Sequence, residues 1–216
     1  MHKFEKDGTK VYLMGVVKGL VSDVEKILEH VKLYDFEVGC IAVSKGELKG
    51  LMTLVEGDKD VSVEPNAPER MYAENLSEFG EVSLPPPSYV AFVEYCIEND
   101  IKMMAVDMDE EHYTMAYCEH VSGTQWIMQS LREKRMKNKR FDCQTPRDFA
   151  IEWDKTINKL KGYQELEEYR EKIIAKNLVR ISKKGDCFAL LEVERLEGIS
   201  KNIQDMGWDL TIVNDK

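Results

Sequence analysis

The sequence predicts an α/β fold: a central, mostly parallel sheet of about five strands with an inserted layer of three helices. Three observations predict it. Short, wholly apolar runs of strand length recur along the chain, as expected for strands covered on both faces. Amphipathic helical periods separate the early runs, and strand–helix–strand order implies parallel pairs joined by right-handed crossovers. Residues 109–181 show helical periods alone, which places a helical insertion between strands. The 216 residues read as one domain.

The elements follow in order. His2 reads as part of a frayed end, and residues 11–17 form the first strand, stopping at Lys18-Gly19. Ser22 and Asp23 offer an N-cap, and Val21, Val24, Ile27, Leu28 and Val31 mark one face of the next helix. Residues 36–43 form a second strand, and a helix runs from Ser44 to just before Gly57. Residues 58–87 carry five of the six prolines and read as irregular, apart from a short helix near 69–79. Pro85-Pro86-Pro87 opens a helix because proline suits the first turn. Residues 102–106 form the third strand, ended by Asp107. One inserted helix spans 110–136, with an interruption at Ser122-Gly123. A second has Thr145 as cap and Pro146 as first residue, with Phe149, Trp153, Ile157 and Leu160 as its stripe. A third covers 164–181. Cys187–Glu192 is the fourth strand, 198–206 a short helix and 208–213 the fifth strand.

Composition excludes several classes. With 43% hydrophobic and 32% charged residues the chain is globular rather than disordered. No apolar run approaches the ~20 residues of a membrane-spanning helix, and the start lacks the apolar core of a signal peptide. A cytoplasmic protein without membrane partners is expected. Acidic residues outnumber basic ones by 40 to 30, a balance that repels nucleic acid. The one basic cluster, 132–140, lacks interleaved aromatics and reads as a solvated helix end. Five scattered cysteines without a Cys-x-x-Cys pair argue against a disulfide framework or zinc ribbon. Met103, Met104, Trp126, Met128 and Trp153 are expected in the core.

In open α/β sheets ligands gather beyond the carboxyl ends of the strands. That rule selects Lys18, Ser44, Asp107, Asp109, Glu192, Glu194 and Arg195. Asp107-Met108-Asp109 after an apolar strand resembles the way haloacid-dehalogenase-type phosphohydrolases present a nucleophile and an acid around magnesium. No Asp-Asp pair follows it downstream. His112 stands near both aspartates, so Asp107, Asp109 and His112 are the candidate metal ligands, and Asp107, Asp109 and Glu192 the candidate catalytic carboxylates. The bland alternative is a charged first helical turn. No cofactor is expected, and a divalent metal enters only if these carboxylates serve a hydrolase.

Several segments together resemble the TraB/PrgY family, grouped with the TIKI, ChaN-like and erythromycin-esterase-like proteins. Residues 11–19 stand where that family has a Gly-x-x-His motif. Residues 89–101, then 103–107 and Thr114, resemble its helix, strand and Asp-Arg…Thr element. Tyr169-Arg170-Glu171 resembles its Glu-Arg-Asp helix, and Leu196-Glu197-Gly198-Ile199 the tail of its second Gly-x-x-His strand. PrgY-type members carry membrane segments after this domain, so the resemblance implies a soluble domain alone.

The departures carry chemistry. The family's site, implied to be that of a metal-dependent hydrolase, uses the two motif histidines, a glutamate and an arginine. Here Lys18 and Arg195 fill the histidine positions, Ala42 the glutamate's and Met108 that of the arginine after Asp107, while Arg170 is kept. Imidazole can hold a metal or shuttle protons, whereas lysine and arginine are charged and offer no lone pair. The resemblance therefore implies a catalytically degenerate domain acting as a binding or regulatory module. Lys18, Arg170 and Arg195 are candidates for binding a small anion beside a helix N-terminus. Alternatively Glu192, Glu194 and Asp107 neutralise them in a buried network. A protein partner and a homo-oligomer built on the helical layer are further expectations, and a relocated hydrolase site at Asp107, Asp109 and His112 is the alternative function.

Overall fold

The computed structural model describes residues 1–57, 66–136 and 139–213. The fold is α/β, as expected, but among the described residues the sheet has six strands rather than five. The additional one is β1 (His2–Lys6), in the segment expected to fray. It pairs antiparallel with β2 (Thr9–Val16) across the two-residue turn Asp7-Gly8. Both turn residues take positive φ, 52° and 81°, the geometry that an Asp-Gly hairpin favours. Phe4 anchors the strand in the core, and His2 is buried with Nδ1 2.7 Å from Ser200 Oγ.

After β2 come α1 (Asp23–Val31), β3 (Val38–Ile41) and α2 (Lys45–Val55). Ser44 and Glu47 form a capping box on α2: Ser44 Oγ accepts from the Glu47 N–H and Glu47 accepts from the Ser44 N–H. Residues 58–65, in the stretch expected to be irregular, lie outside the described residues. α3 (Ala67–Leu76) and α4 (Pro87–Glu98) lead to β4 (Lys102–Ala105). Among the described residues the insertion then holds four helices, one more than expected, because the block 110–136 divides at Val121-Ser122. These are α5 (Glu110–His120), α6 (Gly123–Met136), α7 (Pro146–Ile157) and α8 (Lys161–Ser182). β5 (Cys187–Glu192), a single 3-10 turn (Val193–Arg195), α9 (Leu196–Asp205) and β6 (Asp209–Ile212) complete the chain.

Strand order is β4-β3-β5-β2-β1-β6. The pairs β4/β3, β3/β5 and β5/β2 are parallel, and both pairings of β1 are antiparallel. Alternation in the central strands feeds two cores. Val11, Leu13, Cys187, Ala189 and Leu191 pack with α8 and α9, whereas Tyr12, Met14, Phe188 and Leu190 pack with α1, α2 and α4. Each central strand is therefore apolar on both faces, the cause of the continuous runs in the sequence.

The chain runs from β2 outward through β3 to β4, then returns to insert β5 beside β2. Reversing direction moves the connections to the opposite sheet face, since crossovers keep one hand. Consequently β2 leaves toward α1 on one face and β5 toward α9 on the other. The crevice between their carboxyl ends is the topological switch point, where ligands bind in such sheets. A third apolar cluster, including Val17, Leu76, Phe149, Trp153 and Val193, caps that end of the sheet with α3 and α7. Trp126 and Met128, expected in the core, are exposed on α6, at 58% and 51%. No helix among the described residues is long and apolar enough to cross a membrane.

Candidate functional site

Lys18 lies on the turn that follows β2. Asp23 shapes that turn: its Oδ2 accepts the Val17 N–H at 2.8 Å, and Gly19 takes φ +93°. A residue with a Cβ is strained in that conformation. Lys18 Nζ is thereby set 3.6 Å from Glu192 Oε1 at the end of β5. Glu192 also faces Arg170 of α8, Oε2 lying 3.5 Å from Nη1. The expected strand-end residues Lys18 and Glu192 thus meet across the switch point.

Arg170 is the hub. Its Nε and Nη2 stand 2.7 and 2.6 Å from Asp107 Oδ2, and its Nη1 3.4 Å from Glu167 Oε2. The same Glu167 oxygen lies 3.5 Å from Arg195 Nε. Arg195, on the 3-10 turn, further pairs with Asp154 of α7 and donates from Nη1 to Glu171 at 3.1 Å. The result is one chain of charges: Lys18, Glu192, Arg170, Glu167, Arg195, then Asp154 and Glu171. The three cations proposed for an anion line one cavity, but each is already held by carboxylates.

Sequence reasoning misses Asp154, Glu167 and Glu171. A partial signal exists for two of them, because residues 167, 170 and 171 share one face at i, i+3 and i+4 spacing. Asp154 had none, since its role depends on how α7 docks over the strand ends. Gly198 is explained by the same network. A Cβ there would collide with the Glu171 carboxylate, so glycine lets α9 approach α8.

Burial and crowding shift the acids in opposite directions. Burial opposes the charge of Glu192, yet Arg170 and Lys18 hold its carboxyl below the ordinary value. Glu194, two residues on, is pushed up to about 8 by burial and then by Glu192. Burial and the neighbouring Glu167 push Glu171 up to about 7. Glu167 itself is raised, mainly by burial. Near neutral pH the site therefore holds an ionised Glu192 beside a protonated Glu194.

Asp107, Asp109 and His112 line one cavity of about 380 Å³ but take separate partners. Asp107 binds Arg170, Asp109 Oδ1 caps α5 by accepting the His112 N–H at 2.9 Å, and His112 Nε2 lies 3.0 Å from Tyr169 Oη. Among the described residues no three His, Cys, Asp or Glu side chains converge as a metal-ligand group.

Two neighbouring cavities open on the ion network. One, of about 370 Å³, has an apolar wall that includes Leu51, Leu54, Leu84 and Pro85. The other, of about 190 Å³, is lined by Tyr72, Trp153 and Glu194 among others. They share Lys18, Glu69, Leu84, Arg170 and Glu192. Tyr89, 2% exposed, lines the first with its hydroxyl unpartnered, and Tyr72 Oη and Glu194 Oε2 in the second are buried and likewise unpartnered. Buried polar atoms without partners are uncommon and costly.

Compared with known proteins, the chain matches no family model and no curated sequence. The functional reading therefore rests on these side chains.

Proposed function

We propose that the chain is a non-catalytic, TraB-like ligand-binding module whose ligand is a small amphiphile seated in the two cavities at the carboxyl ends of β2 and β5. The observation that carries this reading is the contrast at the switch point. Lys18 and Arg195, at the two histidine positions that the resemblance implies, offer no lone pair and are ion-paired. Beside them an apolar-walled space holds the unpartnered hydroxyl of Tyr89. A concave, largely apolar site with a few polar groups is the usual form of a small-molecule pocket.

Gly50 supplies the test. It lines the larger cavity on α2, and a Cβ there meets nothing within 4 Å. Gly50→Phe fills the cavity without breaking an ion pair. Titration of short-chain amphiphiles, followed by Trp153 fluorescence and calorimetry, is expected to show saturable binding to the wild type and none to Gly50→Phe. Equal binding to both proteins refutes the location. Metal-dependent hydrolysis abolished by Asp107→Asn refutes the non-catalytic reading and favours the carboxylate site at Asp107, Asp109 and His112.

A further inference from the structure

We infer that the head group this site accepts is an organic ammonium, not an anion; the inference rests on the amphiphile reading above. Charge gives the first argument. The smaller cavity is lined by three cations, Lys18, Arg170 and Arg195, and by five acids, Glu69, Asp154, Glu167, Glu192 and Glu194. Asp107 and Glu171 add two further carboxylates to the same arginines. Every cation is engaged, and even with Glu194 protonated the acids Glu69, Asp107, Asp154, Glu167 and Glu192 outnumber the three cations. An anion would enter a surplus of its own sign, in a place where burial weakens solvent screening. A cation would relieve that surplus.

The unpartnered groups give the second argument. Glu194 Oε2 and Tyr72 Oη are buried in the cavity wall without hydrogen-bond partners. Tyr72 Oη can accept from an N–H donor, and an ammonium beside Glu194 favours its ionised, accepting form. A primary ammonium carries three such donors and no acceptor, and its hydrogen bonds to carboxylate are charge-assisted. Lys18 already sets an ammonium at ion-pair distance, 3.6 Å, from Glu192.

The aromatic wall gives the third. Trp153 and Tyr72 line the same cavity, with ring centroids 5.6 Å apart and planes at 71°. Tryptophan and tyrosine rings attract cations and not anions. An alkyl chain on the ammonium would extend into the larger cavity along Leu51, Leu54, Leu84 and Pro85. The ligand class is thus a primary alkylammonium, its head between Glu192 and Glu194 and its tail toward α2.

Isothermal titration of the full chain with hexylammonium, hexanol and hexanoate tests this. All three share one tail, so differences report the head group. Hexylammonium is expected to bind at least about tenfold tighter than hexanol, the effect of a charge-assisted hydrogen bond, and hexanoate weakest. Glu194→Gln should weaken hexylammonium by about tenfold and leave hexanol unchanged. Lys18→Met should tighten hexylammonium, because it frees Glu192 from a competing ammonium, and circular dichroism verifies that each variant folds. Hexanoate binding as tightly as hexylammonium, or hexylammonium weakening in Lys18→Met, overturns the head-group assignment while the amphiphile site stands. Absence of binding by all three overturns both.

Discussion

Replacing Arg170 by methionine should be among the most damaging single changes in this chain. The substitution keeps much of the buried stem and deletes the guanidinium that serves Asp107, Glu167 and Glu192. The side chains of those acids are only 8%, 13% and 12% exposed. Breaking a buried ion pair from one side costs about 3–5 kcal/mol, because the partner stays desolvated and unpaired. Two features move the figure to the lower end. Asp107 Oδ1 still accepts the Met108 N–H at 2.7 Å, and Lys18 still faces Glu192. About 3 kcal/mol is expected at pH 7, or a fall of roughly 6–12 °C in Tm for a chain of this size. The loss should shrink on acidification. In the variant burial raises the carboxyls of Glu167 and Glu192, once the guanidinium is gone, above their unfolded values, so protonation favours the folded state and stability recovers as pH falls toward 5. Urea unfolding followed by circular dichroism at pH 7 and pH 5 measures both quantities. A loss below 1 kcal/mol at pH 7, or an equal loss at both pH values, refutes the view that Arg170 neutralises buried charge. Adding Asp107→Asn should restore part of the stability, since the two changes act on one contact.

Two further outcomes are expected. The Glu194 carboxyl is raised from 4.5 to about 8, so the folded state binds more protons than the unfolded one between those values and stability falls as pH rises through that window. A Tm series from pH 6 to 9 should decline less steeply in Glu194→Gln than in the wild type, and parallel curves contradict the assignment. Gly198→Ala should cost about 1–3 kcal/mol through overpacking against Glu171, read as a lower urea midpoint. An unchanged midpoint shows that α8 and α9 are not packed through that contact.

Apolar patterning along the chain specifies the layers. Apolar runs marked the central strands β2, β3 and β5, because strands covered on both faces must be apolar on both, whereas β6, the sheet-edge strand, is largely exposed. Local chemistry marked helix starts: Thr145 Oγ1 accepts the Asp148 N–H, with Pro146 as the first helical residue. The Asp7-Gly8 turn was equally legible in principle, yet one buried phenylalanine in five residues is a weak strand signal, and β1 escapes a reading based on apolar runs. Hydrophobicity also overreaches at Trp126 and Met128, since apolar residues are not confined to the interior. At the site, the rule about strand ends found Lys18, Asp107, Glu192, Glu194 and Arg195. What surrounds them is set by how the helices dock in three dimensions. Asp154 reaches Arg195 because α7 packs over the strand ends, a contact that leaves no local pattern in the chain, whereas Glu167 shares a helix face with Arg170. Protonation follows the same logic. Glu192 and Glu194 are identical residues two positions apart, and they part because one faces two cations in its burial while the other has none within hydrogen-bonding reach.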